Sequence, residues 1–310
     1  NDISQAYLAD ARALEVEYLK KLGAIKIDQL SPQARLTYDI FQRDRGMAIE
    51  SFTYQAELLP IAQFGNRATF FAQLSAAGLH PFRTVKDYDD WLSRVHDYVT
   101  WVDQAITNMR AGVNKGFVQP RVVMERVLPQ LAALGGNDPT QSVYYHGIAA
   151  LPPSIGAAER VRLKEAFAKA ITGEIWPANE RLLLYIRDEY LPKTRTSVGL
   201  SALPMGERWY SYLARRYTTT DKSPDEIHRI GLAEVARIRG EMEAVIREGA
   251  RLYMLRHCRF ASWTRVSLKT LGGYRPTELD GVRIIVDETI APWHWLFGVN
   301  GGQDSGAVAP

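Results

Sequence analysis

TVKDYDDWLSRVHDYVTWVDQAITNMR, residues 84–110, is the stretch that decides the fold class. Its apolar residues Trp91, Val95, Tyr98, Val102 and Ile106 recur every third or fourth position, the spacing that lines up side chains on one face of an α-helix. Thr84 and Asp87 resemble a capping box, in which a hydroxyl and a carboxylate satisfy the orphan amides of the first turn. Asp87, Asp89 and Asp90 fall where the helix dipole favours carboxylates, so this acidic cluster reads as structural. Gly112 and Gly116 mark the end of a long helix.

The same reading extends in both directions. An amphipathic helix is expected over about 3–22, with Tyr7, Leu8, Ala11, Leu14, Tyr18 and Leu22 on one stripe. Ser31 and Pro32 form an N-cap with proline at the first helical position and open a second helix through Leu36, Ile40, Met47 and Phe52. Asn66 opens a short third one, closed by Gly78. Residues 120–134 predict a helix kinked at Pro129 and ended by Gly135 and Gly136, and 137–153 a turn-rich crossing loop around Tyr144, Tyr145 and His146. Residues 158–190 read as one helix bent at Gly173 and Pro177, followed by a helix over about 206–216. Ser223, Pro224 and Glu226 make a complete capping box that starts a helix to about Glu248. The expected fold is mostly α, a large multi-helix array with long kinked helices and little or no sheet.

After Gly249 the pattern changes. Arginine replaces lysine, Cys258, Trp263, Trp293 and Trp295 appear, residues 282–286 allow one short strand, and 298–310 reads as disordered. Two regions are therefore expected, a helical domain over 1–248 and an atypical tail over 249–310.

Composition excludes several classes. The 310 residues, 46% apolar and 24% charged, are those of an ordinary globular protein. Basic and acidic residues, 38 against 35, are intermixed with no run that would track a phosphate backbone, which argues against nucleic acid. A single cysteine, Cys258, allows neither an intrachain disulfide nor a thiolate metal cluster. No stretch approaches the roughly 18 consecutive apolar residues of a membrane span, so no transmembrane segment is expected.

Catalytic motifs are incomplete. A zinc hydrolase helix needs two histidines four apart with a glutamate between, and His80, His96, His146, His228, His257 and His294 contain no such pair. The run Gly199 to Leu203 lacks the second glycine of a serine elbow, and Lys115 precedes Gly116 where a phosphate loop needs the reverse order. The tyrosines Tyr144, Tyr145, Tyr210 and Tyr217, with Trp209 and Tyr212, fit either core packing or ligand contact, since tyrosine joins an apolar ring to a hydrogen-bonding tip.

Several runs together resemble the bacterial family of unknown function DUF885: Leu58-Leu59-Pro60-Ile61, Asn108-Met109-Arg110-Ala111-Gly112, Leu151-Pro152-Pro153-Ser154-Ile155, and Tyr217-Thr218-Thr219-Thr220-Asp221 leading into Ser223-Pro224-Asp225-Glu226-Ile227-His228. The last run, extended by Gly231-Leu232-Ala233-Glu234-Val235, is the most specific, and the order and spacing hold over about 30–248. The resemblance implies a helical, exported or lipid-anchored protein similar to zinc-dependent peptidases, about twice this length, whose metal motif lies in the C-terminal half. It thus implies a periplasmic or cell-envelope location, the cytoplasm being the alternative. No residue here matches that motif, so no metal ligand or catalytic glutamate carries over, and zinc is expected only in full-length relatives. The break at Gly249 is expected to reflect a frameshift, a gene-prediction error or a spliced sequence, against a divergent C-terminus.

On this reading the chain is the substrate-cleft-forming N-terminal part of a zinc-peptidase-like hydrolase, inactive alone. Arg110, Tyr144, Tyr145, Tyr210 and Tyr217 are the expected cleft residues, with Arg110 suited to a carboxylate or carbonyl. The expected partner is a peptide substrate or the C-terminal half, and exposed apolar helix faces would favour a homodimer. The alternative is a non-catalytic helical module that binds a peptide or protein.

Overall fold

In the computed structural model, residues 2–76, 78–257, 277–279, 282–284 and 297–299 are described. The long central helix is α4, Val85–Lys115, and the other helices are best placed relative to it. Before it come α1 (Gln5–Gly23), α2 (Pro32–Ser51) and α3 (Arg67–Ala76). After it come α5 (Arg121–Ala132), the one-turn α6 (His146–Ala149), α7 (Ala157–Ala170), α8 (Trp176–Leu184), α9 (Gly206–Thr218) and α10 (Pro224–His257). Among the described residues the architecture is all-α apart from three short strands near the C-terminus.

The expected capping box of α4 forms: the Thr84 amide donates to Asp87 Oδ2 at 2.7 Å and the Asp87 amide to Thr84 Oγ1 at 3.3 Å. At the other end Gly116 adopts φ +79°, and the Phe117 and Gly116 amides return to the Gly112 and Val113 carbonyls, which is the Schellman way of stopping a helix. Gly112 is required for a second reason. A Cβ there would lie 2.7 Å from the Phe117 carbonyl oxygen and 3.0 Å from that of Leu58, both fixed backbone atoms.

The buried face of α4 holds Tyr88, Trp91, Val95, Tyr98, Val102, Ile106 and Met109, as its periodicity predicts. Trp91 stacks on Phe167 of α7 at 4.4 Å and Tyr98 on Phe71 of α3 at 4.3 Å, so one helix organises the packing of both neighbours.

Several expectations change in detail. The helix bent at Gly173 and Pro177 is continuous from α7 through α8, but its adjustments are two π-helical segments, Ile171–Ile175 and Tyr185–Tyr190. Pro177 has no amide to donate and its ring crowds the preceding turn, and the wider turn just before it relieves that crowding. The crossing loop over 137–153 contains 3₁₀ turns at Pro139–Gln141 and Val143–Tyr145 and inserts Tyr144 and Ile148, both fully buried, into the core. The apolar stripe of α1 is also less buried than its pattern predicts, since Tyr7, Leu14 and Tyr18 stay about half exposed.

The chain divides into two units, Asn1–Arg229 and Ile230–Pro310. In the second, α10 runs through Gly249 to His257, further than the expected end near Glu248. Strands β1 (Thr277–Leu279), β2 (Val282–Ile284) and β3 (Phe297–Val299) pair antiparallel, with Thr277 opposite Ile284 and Val282 opposite Val299. The expected strand thus forms as the centre of three, and 298–299, expected to be disordered, belong to β3. Cys258, Trp263, Trp293, Trp295, 285–286 and 300–310 lie outside the described residues.

Candidate functional site

Helix α9 is held on α2 by a dense set of polar and aromatic contacts. Arg215 Nη2 donates to both oxygens of Glu50 at 2.8 and 2.9 Å, and Tyr54 donates to the same carboxylate at 2.8 Å. Burial opposes ionisation of Glu50, but these donors outweigh it and hold its carboxyl below the usual range. The Tyr212 hydroxyl donates to the Met47 carbonyl at 2.8 Å, and Trp209 stacks on Tyr54 at 5.8 Å. Both ends of α9 are left-handed at non-glycine residues, Met205 at φ 55° and Thr219 at φ 56°. Such conformations are costly, and the surrounding packing must impose them.

With that face fixed, the opposite one faces solvent. Tyr210 and Tyr217, seven residues apart, share it, at 53% and 79% exposure. Beside Tyr210 lies a groove of about 680 Å³, lined also by Gly199, Ser201, Glu207, Ser211, Ser223 and Asp225. The loop that supplies Gly199 to its lining is tied down by Arg195, which sequence reasoning missed. The Arg195 guanidinium donates to the carbonyls of Val118 (3.0 Å), Ser197 (2.5 Å) and Gly199 (2.8 Å), pinning the loop that reaches the groove. Burial lowers its pKa, as it does for any desolvated cation. Two of these carbonyls are two and four residues away, but the Val118 carbonyl is 77 residues distant, and no local pattern marks that contact.

Gly206 explains how close that loop lies. A side chain there would run into the backbone of Leu200 and Ser201, so the loop can press against the first turn of α9 only because this residue is glycine. Ser223 and Glu226 at the start of α10 satisfy each other: the Ser223 amide donates to Glu226 Oε2 at 2.7 Å and the Glu226 amide to Ser223 Oγ at 3.3 Å. That backbone hydrogen bond from Ser223 lowers the Glu226 pKa, and Ser223 itself is therefore a cap residue.

The five sequence-predicted residues do not converge. Only Tyr210 lines the groove, with Tyr217 further along the same face. Arg110 pairs with Glu189 (Nη2–Oε1 2.8 Å) and lies over the Tyr185 ring at 5.0 Å, so its carboxylate-binding fork is occupied within the chain. Tyr144 is fully buried in the core and accepts a hydrogen bond from Asn179, and burial pushes its phenol up to about 12. Its insertion under α3 makes it a packing residue, with no surface to offer a cleft. Tyr145 is half-buried beside it, and burial raises its pKa too.

Among the described residues no group of three or more His, Cys, Asp or Glu side chains is placed to hold a metal ion. Among them, too, no helix is long and apolar enough to cross a membrane.

Comparison with known proteins bears on both family and fold. The model of a family described as "Bacterial protein of unknown function (DUF885)" matches residues 1–259, running past Gly249. The crystal structure of a candidate lipoprotein from Colwellia psychrerythraea superposes with a TM-score of 0.66 at 17% identity, covering 79% of this chain and 44% of that one. The chain thus spans less than half the length of the structure it matches, and at that identity the likeness is one of fold. No curated protein matches.

Proposed function

Because the chain belongs to the bacterial family of unknown function DUF885, we propose that it forms the substrate-holding helical part of a zinc-peptidase-like hydrolase, with the groove beside Tyr210 as its binding surface. The observation that carries this reading is the groove itself, where an aromatic ring, two carboxylates, hydroxyls and backbone meet beside a helix anchored on its other side. Such a mixture suits an elongated ligand with alternating polar and apolar groups, such as a peptide. Tyr210 supplies a stacking face, and Glu207 and Asp225 supply acceptors for amide or ammonium donors. No step through zinc is assigned to these residues.

The test is saturation-transfer NMR of the purified chain with a pool of tetrapeptides. Saturable peptide binding that Tyr210→Ala abolishes, with unchanged melting, is the expected result. No saturation transfer at millimolar peptide overturns the proposal.

A second reading is a binding module without catalysis, in which the exposed Tyr210 and Tyr217 recruit a peptide or protein. The two separate when the chain is mixed with zinc and the C-terminal half of a full-length family member. Peptidase activity that depends on both supports the first, and binding without hydrolysis supports the second. The half-exposed apolar residues of α1 and α2, including Tyr7, Leu14, Leu36 and Ile40, support an interface with further polypeptide or a second copy, which sedimentation velocity reads directly. A cell-envelope location is supported by the likeness to a candidate lipoprotein, and fractionation of the native host tests it.

A further inference from the structure

We infer that a second cleft, between α3 and α4 and independent of the Tyr210 groove, binds a zwitterionic α-amino acid with an aromatic side chain. The cleft has a volume of about 560 Å³ and is lined by Phe70, Phe71, Trp101, Arg67, Arg94 and Asp97 among others. That volume is in the range of small-molecule sites.

The charges on α4 carry the argument. Lys86 pairs with Asp90, Asp89 with Arg162, Asp103 with Arg181 and Arg110 with Glu189. Asp87 caps the helix, and Lys115 donates to Gln55. Among the described residues, the two Asp, Lys or Arg side chains of this helix left without a partner are Arg94 and Asp97, and both line the cleft. Three residues apart, they lie on one face of the helix but beyond ion-pair distance of each other. An anion would meet repulsion from Asp97 and a cation repulsion from Arg94. A zwitterion satisfies both, with its carboxylate on the planar fork of Arg94 and its ammonium on Asp97.

The floor selects the side chain. Phe70, 45% exposed, supplies the ring surface, and Phe71 and Trp101, which also line the cleft, are buried. Arg67 lies over the Trp101 ring at 5.8 Å and is neutralised by Asp2, so that end of the cleft carries no free charge to compete with the ring of Phe70.

Isothermal titration of the chain with L-phenylalanine tests this. Saturable binding is expected, weakened roughly tenfold or more by Arg94→Gln and by Asp97→Asn, since each removes a charge-assisted hydrogen bond. N-acetyl-L-phenylalanine and L-phenylalaninamide, each lacking one charge, should bind weaker by a similar factor. Both substituted positions are exposed, so melting should not change. Tyr210→Ala should leave this binding intact, which separates it from the groove. No saturation up to about 10 mM, unchanged affinity in Arg94→Gln, or equal binding of the acetylated ligand overturns the proposal.

Discussion

Tyr98 and Asn179, 81 residues apart, meet in the core through a hydrogen bond in which the phenol donates to the side-chain amide oxygen. The amide nitrogen of Asn179 then donates to the Tyr144 hydroxyl at 3.1 Å and to the Leu134 carbonyl at 3.3 Å. One side chain thus serves α4, the turn after α5 and the 3₁₀ turn at Tyr144. Asn179→Leu keeps the volume but leaves several buried polar atoms unpaired, and should destabilise the fold by about 3 kcal/mol. Tyr98→Phe, which takes the donor from the Asn179 amide oxygen but keeps the ring, should cost about 1 kcal/mol. Urea unfolding of the two variants checks the ranking.

The buried phenols also predict an alkaline limit. Burial raises Tyr98, and takes Tyr144 and Tyr190 to about 12. Folded values above the unfolded value mean that the stability they confer is complete below about pH 10 and lost as pH rises toward 12. Urea midpoints should be flat on this account from neutral pH to about 10 and then fall steeply. Tyr190→Phe should reduce that slope, and an unchanged slope would count against the burial of its hydroxyl.

Two glycines should respond in opposite directions. Gly112→Ala drives a methyl into the Phe117 carbonyl and should cost about 2 kcal/mol or more. Gly46 lies inside α2 with nothing within 4 Å of its would-be Cβ, so Gly46→Ala should raise stability by up to about 1 kcal/mol. Thermal melts of both variants suffice.

Arg195 holds three carbonyls with one rigid fork, and lysine has no such fork. Arg195→Lys should therefore loosen the Gly199 loop and weaken peptide binding at Tyr210 by roughly tenfold. Arg110→Ala, which removes an exposed ion pair, should cost under about 1 kcal/mol and leave that binding unchanged. Equal effects of the two substitutions would contradict the placement of the groove.

What the sequence makes legible here is what local chemistry specifies. Thr84 with Asp87, Ser31 with Pro32 and Ser223 with Glu226 place helix starts because a cap is a contact over three residues, and the α4 stripe buries as its period demands. The first π-helical segment and the contact of Arg195 with Val118 escape, because one depends on relieving crowding at Pro177 and the other on a residue 77 positions away. The site suffers most: tyrosine suits both core and cleft, and whether Tyr144 or Tyr210 meets solvent depends on which elements cover it.

The wide turns at Ile171–Ile175 and Tyr185–Tyr190 bear on how such a chain tolerates change in length. Each behaves as one residue slipped into a helix without breaking it, shifting everything beyond by about 100° of rotation. Removing a residue from the first would turn Asn179 and Leu182 of α8 away from the partners they now meet, while leaving α7 in place. The two segments act as phase setters, and a single-residue deletion in the first should rotate the buried face of α8 out of the core.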